Sequence, residues 1–101
     1  MARWRSVAKT WGMERTQIRF YGMVQGVGFR LTTRSIARGF EVTGWVRNEM
    51  DGSVLLEAQG EGEEVRDFLE AIRERMGRHI ERENGAVAIA VADESGFVIT
   101  S

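Results

Sequence analysis

Thr16-Gln17-Ile18-Arg19-Phe20-Tyr21-Gly22-Met23-Val24-Gln25-Gly26-Val27-Gly28-Phe29-Arg30 carries an alternating run straight into a glycine-bearing turn that ends in a cation. Ile18, Phe20, Gly22 and Val24 share one parity and Gln17, Arg19 and Tyr21 the other, which predicts a first strand over Thr16–Val24. Glycines at 26 and 28 let the backbone bend tightly and turn successive N–H groups toward one point. A helix beginning there would add its positive end, and Arg30 a charged fork for phosphate oxygens. The segment from Gln25 to Arg30 therefore reads as a phosphate seat.

Downstream, Phe29, Thr33, Ile36, Ala37 and Phe40 fall at spacings that one face of an α-helix can bury, with an end near Gly39. Val42, Gly44 and Val46 alternate with Thr43, Trp45 and Arg47, a second strand whose parity carries Asn48 on the valine side. Glu49-Met50-Asp51-Gly52 is a hairpin turn, and Ser53–Gln59 the third strand. Val65, Phe68, Leu69, Ile72 and Met76 mark a second amphipathic helix within Glu61–Met76, acidic at its start and followed by Gly77. Val87, Ile89 and Val91 alternate with alanines, and Phe97-Val98-Ile99 is another extended run, so one or two strands belong to the last quarter. The order β-α-β-β-α-β specifies an α+β fold, a ferredoxin-like sandwich with two helices on one face of a four-stranded antiparallel sheet.

The 101 residues make one domain, and 43% hydrophobic content suffices for a core without staples. Residues 1–13 read as a disordered N-terminal tail bearing Trp4 and Trp11, with 14–101 as the folded unit; Met13 is a candidate start codon. A net charge of −1 gives no chain-wide basic field for nucleic acid or an anionic membrane. The absence of cysteine excludes thiolate chemistry and suits a reducing cytoplasm. No apolar run approaches the roughly 18 residues of a membrane span. His79 is the only histidine and reads as a partly exposed residue after the second helix, so a transition-metal site would have to rest on carboxylates, which speaks against zinc. No cofactor is expected.

With a phosphoryl group seated between Gln25 and Arg30, Asn48 at the end of the second strand would project toward the same pocket if the first two strands lie close. An amide can orient a water without ionising. The motif holds no Ser, Cys or His nucleophile beside a base, so water is the expected attacker. An acyl phosphate expels a carboxylate, whose conjugate acid has a pKa of only about 4 to 5, and needs no general acid. Positioning and charge stabilisation then carry most of the phosphoryl transfer.

GMVQGVGFR, followed fifteen residues after its arginine by Trp45 in TGWVRN and then by DGSV and AQG, resembles the acylphosphatase family. The likeness runs from Thr16 to Met76 with its spacing intact and more loosely to Gly96-Phe97-Val98-Ile99. It implies a ferredoxin-like fold and metal-free hydrolysis of acyl phosphates to carboxylate and orthophosphate. By position it makes Arg30 the phosphate-binding arginine, Asn48 the water-orienting asparagine, and Gln25, Gly26, Val27, Gly28 and Phe29 the phosphate loop. It also implies that the substrate's own phosphate takes the water's proton. The chain departs from the pattern at Glu41, where glycine is usual, and at Leu31 and Thr32, where aromatic residues are common. Glu83 and Gly85 stand where apolar strand residues belong, which implies a shifted or short fourth strand.

A P-loop is excluded because no Lys-Ser or Lys-Thr pair follows the glycines, and an RNA-recognition domain because its aromatic motif is missing. The alternative is a non-catalytic module of the same fold that holds a phosphorylated metabolite or a protein partner; a third reading is a detached domain serving a larger maturation enzyme. The expected partner is a small acyl phosphate, with no nucleic acid or membrane, and the expected state is a cytoplasmic monomer.

Overall fold

The computed structural model describes residues 12–101. The tail expected over 1–13 lies outside them except for Gly12 and Met13. Five strands and two helices follow in the order β1 (Met13–Gly22), α1 (Phe29–Ala37), β2 (Thr43–Asn48), β3 (Val54–Glu61), α2 (Gly62–Met76), β4 (Ile80–Ala88) and β5 (Phe97–Ile99), with a 3-10 turn at Gly77–His79 before β4. His79 is half-buried in that turn.

The sheet has the order β4-β1-β3-β2-β5. β1, β3, β2 and β4 pair antiparallel, but β5 runs parallel to β2, Gly44 facing Phe97 and Val46 facing Ile99. The four-stranded antiparallel sheet expected from the sequence is thus corrected to a five-stranded mixed one. The βαββαβ core of the ferredoxin-like sandwich stands, and the closing run Phe97–Ile99 adds to its β2 edge instead of serving as the fourth strand.

Even-numbered residues of the first three strands face the helices. Ile18, Phe20, Val46, Val54, Leu56 and Ala58 are buried there against Val65, Phe68, Leu69 and Ile72 of α2. From α1 the core takes Phe29 and Ala37, and Phe20 meets Phe29 with ring centroids 5.2 Å apart. Burying a side chain such as Phe68 contributes about 1.5–3 kcal/mol. Val24 is buried although β1 ends at Gly22.

β4 begins at Ile80, earlier than the Val87-Ile89-Val91 alternation suggested. Those residues do not form a buried face: Val87 and Ile89 are 92% and 90% exposed. Glu83 and Gly85 lie inside β4, facing Phe20 and Ile18 of β1. Glu83 meets the Arg73 guanidinium of α2 at 2.8 Å, and the Arg82 guanidinium stacks 3.8 Å from the Tyr21 ring. Polar residues serve here because an edge strand needs only ladder bonds and pair contacts.

On the outer face of the sheet, Arg15 is buried and clasped by the Glu57 and Glu94 carboxylates and by Gln59 Oε1 at 3.1 Å. The Gln59 side chain also binds the backbone N–H and C=O of Val91, and Thr43 Oγ1 donates to Glu94 at 2.7 Å. Together these contacts fold the segment between β4 and β5 over the sheet. Burial alone would push the Glu94 carboxyl up, but the hydrogen bonds from Arg15 and Thr43 outweigh it and hold the group below the usual glutamate range.

Candidate active site

β1 and β2 are both antiparallel to β3, so they run in the same direction and finish at the same end of the sheet. The register is specific: Phe20 and Asn48 each pair with Val54, one from either side. Strand spacing puts them about 10 Å apart. Asn48 shares its parity with Val46 and so faces the helix layer, where α1 begins.

The turn between β1 and α1 holds Gly26 and Gly28, both at φ 79° in the left-handed region. A Cβ at either glycine would meet nothing within 4 Å, so glycine serves the backbone conformation here and leaves open space beside it. Gly28 is the N-cap of α1, and no side chain caps the helix. Its first intrahelical bond runs from Thr32 N–H to Gly28 C=O at 2.9 Å. The amides of Phe29, Arg30 and Leu31 therefore have no intrahelical acceptor. No acidic residue occupies the first turn, which would otherwise offset the helix's positive end.

Gly26, Gly28, Arg30 and Asn48 line one cleft of about 410 Å³. Its remaining walls are Val24, Phe29, Leu31 and Ile99. Among the described residues, no hydrogen bond or ion pair engages the Arg30 guanidinium. Asn48 Oδ1 is buried and likewise finds no hydrogen-bond partner among the described residues. A free guanidinium beside an uncapped helix start, with no carboxylate in the walls, makes the cleft electrostatically suited to an anion.

Gln25 has a different place from the rest of the expected loop. Its side-chain amide donates to the backbone oxygens of Glu49 and Ser53, both at 2.8 Å, and so ties the turn before α1 to the hairpin between β2 and β3. Asp51 steadies that hairpin by accepting from the Ser53 N–H at 2.9 Å. Val27 is exposed and Phe29 points into the core, so neither brings a polar side chain to the cleft. Ile99 was not singled out by the sequence reading, since nothing in a three-residue apolar run reveals that it will lie beside β2.

A larger cleft of about 630 Å³ opens at the other end of the sheet, lined by Met13, Val42, Thr43, Glu61, Asp93 and Glu94 among others. The ionisable side chains lining it are all carboxylates, which disfavour a phosphate. Among the described residues, no three His, Asp or Glu side chains gather in a set able to hold a metal ion, and no helix is long and apolar enough to cross a membrane.

The chain is 54% identical over 61 residues to an acylphosphatase of Salinibacter ruber, a stretch covering 60% of this chain and 64% of that relative. The match thus spans less than two thirds of the relative's length. Among solved structures, an acylphosphatase from Coxiella burnetii superposes with a TM-score of 0.72 at 31% identity, over 91% of this chain and 97% of that one. Another from Bacillus subtilis gives a TM-score of 0.77 at 26% identity, over 87% and 99%. The profile of the acylphosphatase family matches residues 16–99, taking in every element that forms the smaller cleft. The chain belongs to the acylphosphatase family.

Proposed function

We propose that this protein hydrolyses the carboxyl–phosphate bond of acyl phosphates, releasing a carboxylate and orthophosphate without a metal ion. The observation that carries this reading is the cleft in which the start of α1 meets an Arg30 guanidinium and an Asn48 Oδ1 that have no partner among the described residues. Family membership supports the same reaction.

Arg30 and the backbone amides of the Gln25–Phe29 loop hold the phosphoryl oxygens and offset charge as the bond breaks. In this scheme the Gln25 side chain fixes the loop against the hairpin, and its backbone alone takes part in the seat. Asn48 Oδ1 accepts a hydrogen bond from the attacking water and holds it in line with phosphorus. The water oxygen bonds to phosphorus as the phosphorus–carboxylate bond breaks. One water proton passes to a non-bridging phosphate oxygen, giving dihydrogen phosphate and a free carboxylate. No general base or acid is required, because the carboxylate leaves unprotonated at neutral pH.

The reading includes a monomer acting in the cytoplasm, which sedimentation and cell fractionation test. The reaction itself is tested by following loss of benzoyl phosphate with purified protein in EDTA. Turnover in EDTA supports the hydrolase; binding of benzoyl phosphate without turnover supports a module that only holds its ligand.

A further inference from the structure

Leu31 is 60% exposed, yet it lines the cleft one residue beyond Arg30 on the first turn of α1. Its neighbours in the wall differ. Val24 and Phe29 are almost wholly committed to the core, and Ile99 packs against it from β5. Leu31 is thus the apolar wall residue that the chain's own packing leaves largely uncovered. Among the described residues, Arg30 is the one ionisable side chain in the lining and Asn48 the only polar side chain besides it. With Arg30 and the loop amides holding phosphate and Asn48 holding water, the lining offers no charged side chain to the rest of the substrate.

In-line displacement fixes where that rest must lie. The departing carboxylate leaves phosphorus opposite the attacking water. Asn48 is on β2, with β5 and Ile99 hydrogen-bonded alongside. The acyl group consequently points away from Asn48, and the exposed apolar surface that the lining offers it is that of Leu31. A hydrocarbon acyl chain laid on Leu31 removes apolar surface from water on both sides. A terminal carboxylate in the same place loses hydration, and the lining has no cation besides the phosphate-holding Arg30 to replace it.

We infer that Leu31 is a specificity-determining residue that selects acyl phosphates with an uncharged, apolar acyl group over those carrying a second carboxylate. This rests on the hydrolase reading above and narrows it to a substrate class.

The test measures kcat/KM for acetyl, butyryl and succinyl phosphate with the full chain in EDTA at fixed ionic strength. Butyryl and succinyl phosphate have the same four-carbon length and differ in the terminal carboxylate. The expected order is butyryl above acetyl by several-fold and butyryl above succinyl by about 10-fold or more, the range a small apolar pocket delivers. Because the three acyl phosphates differ in intrinsic reactivity, the decisive readout is how the ratios move in variants. Leu31→Asn lowers the butyryl-to-acetyl ratio several-fold, and Leu31→Lys raises succinyl relative to butyryl by supplying the missing cation; circular dichroism establishes that both variants are folded. Ratios unmoved in both folded variants overturn the inference while leaving the hydrolase reading intact. No hydrolysis of any of the three overturns the hydrolase reading, and this inference with it.

Discussion

The two helices of this protein begin in opposite ways. At α2, Glu63 and Glu64 stand in the first turn, the Glu64 carboxylate accepts the backbone N–H of Glu41 at 2.8 Å, and the Glu14 carboxylate packs so closely on Gly62 that a Cβ there would come within 2.5 Å of it. The chain's own anions occupy that positive end. At α1 the first turn contains no acid, the cap is a glycine without a side chain, and the one ionisable group at hand is a further cation, Arg30. Both ends have the same partial charge, worth roughly 0.3–1 kcal/mol for each well-placed anion. One has the chain's own anions beside it and the other has none among the described residues. Neither start is capped by a side chain, so what separates the two is where the chain places its own carboxylates.

The strongest way to break the comparison is to remove the added cation. Arg30→Ala is expected to lower kcat/KM for benzoyl phosphate by about 10²–10³-fold or more and to abolish inhibition by inorganic phosphate, in line with losing a preorganised charge from the site. Steady-state kinetics with phosphate as inhibitor reads both effects, and near-normal turnover would show that α1 serves no anion. Asn48→Ala follows, with kcat down about 10²-fold while phosphate inhibition persists, since in the proposed reaction the amide positions water and takes no part in holding phosphate.

A smaller effect comes from the cap itself. Gly28→Ala meets no steric obstacle, so its cost is that of forcing an L-residue to φ 79°, about 1–2 kcal/mol. Thermal melts should fall by about 4–8 °C per kcal/mol for a domain of this size. The complementary change at α2, Glu63→Gln, should cost about 0.3–1 kcal/mol by denaturant titration and leave turnover untouched. A loss of activity there would mean that the two helix starts are coupled. Smallest for catalysis is mild acid. The Glu94 carboxyl is held low in the fold, so its contribution to stability is complete above the ordinary value near 4.5 and is withdrawn as pH falls through the depressed one. Stability measured against pH should decline below that point, whereas phosphate inhibition at neutral pH stays as it is.

The parts of the fold that could be read in advance are those where one face must be apolar. Ile18 and Phe20, the Phe29-Thr33-Ala37 stripe and the Val65-to-Met76 stripe are all buried as their spacing required. The Asp51-Gly52 turn joins β2 to β3 because its chemistry is local. β4 was hidden for the opposite reason. It borders β1 only, and residues such as Glu81, Asn84 and Ala86 are exposed, so no period is imposed on them. The alternating Val87, Ile89 and Val91 misled because alternation records burial only where something covers the face. Nothing near Arg15 in the sequence marks it as buried, because its burial depends on Glu94, 79 positions away. Arg30 and Asn48 were legible as a pair through motif and parity, while the tie from Gln25 to the hairpin depends on backbone oxygens that no residue name discloses.

Val54 faces Phe20 on one side and Asn48 on the other, so β3 acts as the gauge against which the two halves of the cleft are aligned. A one-residue slip of β2 along that gauge would rotate the Asn48 carboxamide to the opposite side of the sheet while sparing most ladder bonds. Chain-length variation in the Met50–Gly52 hairpin is therefore expected to be far less tolerated by activity than by folding, and a well-folded but inert insertion variant would be its signature.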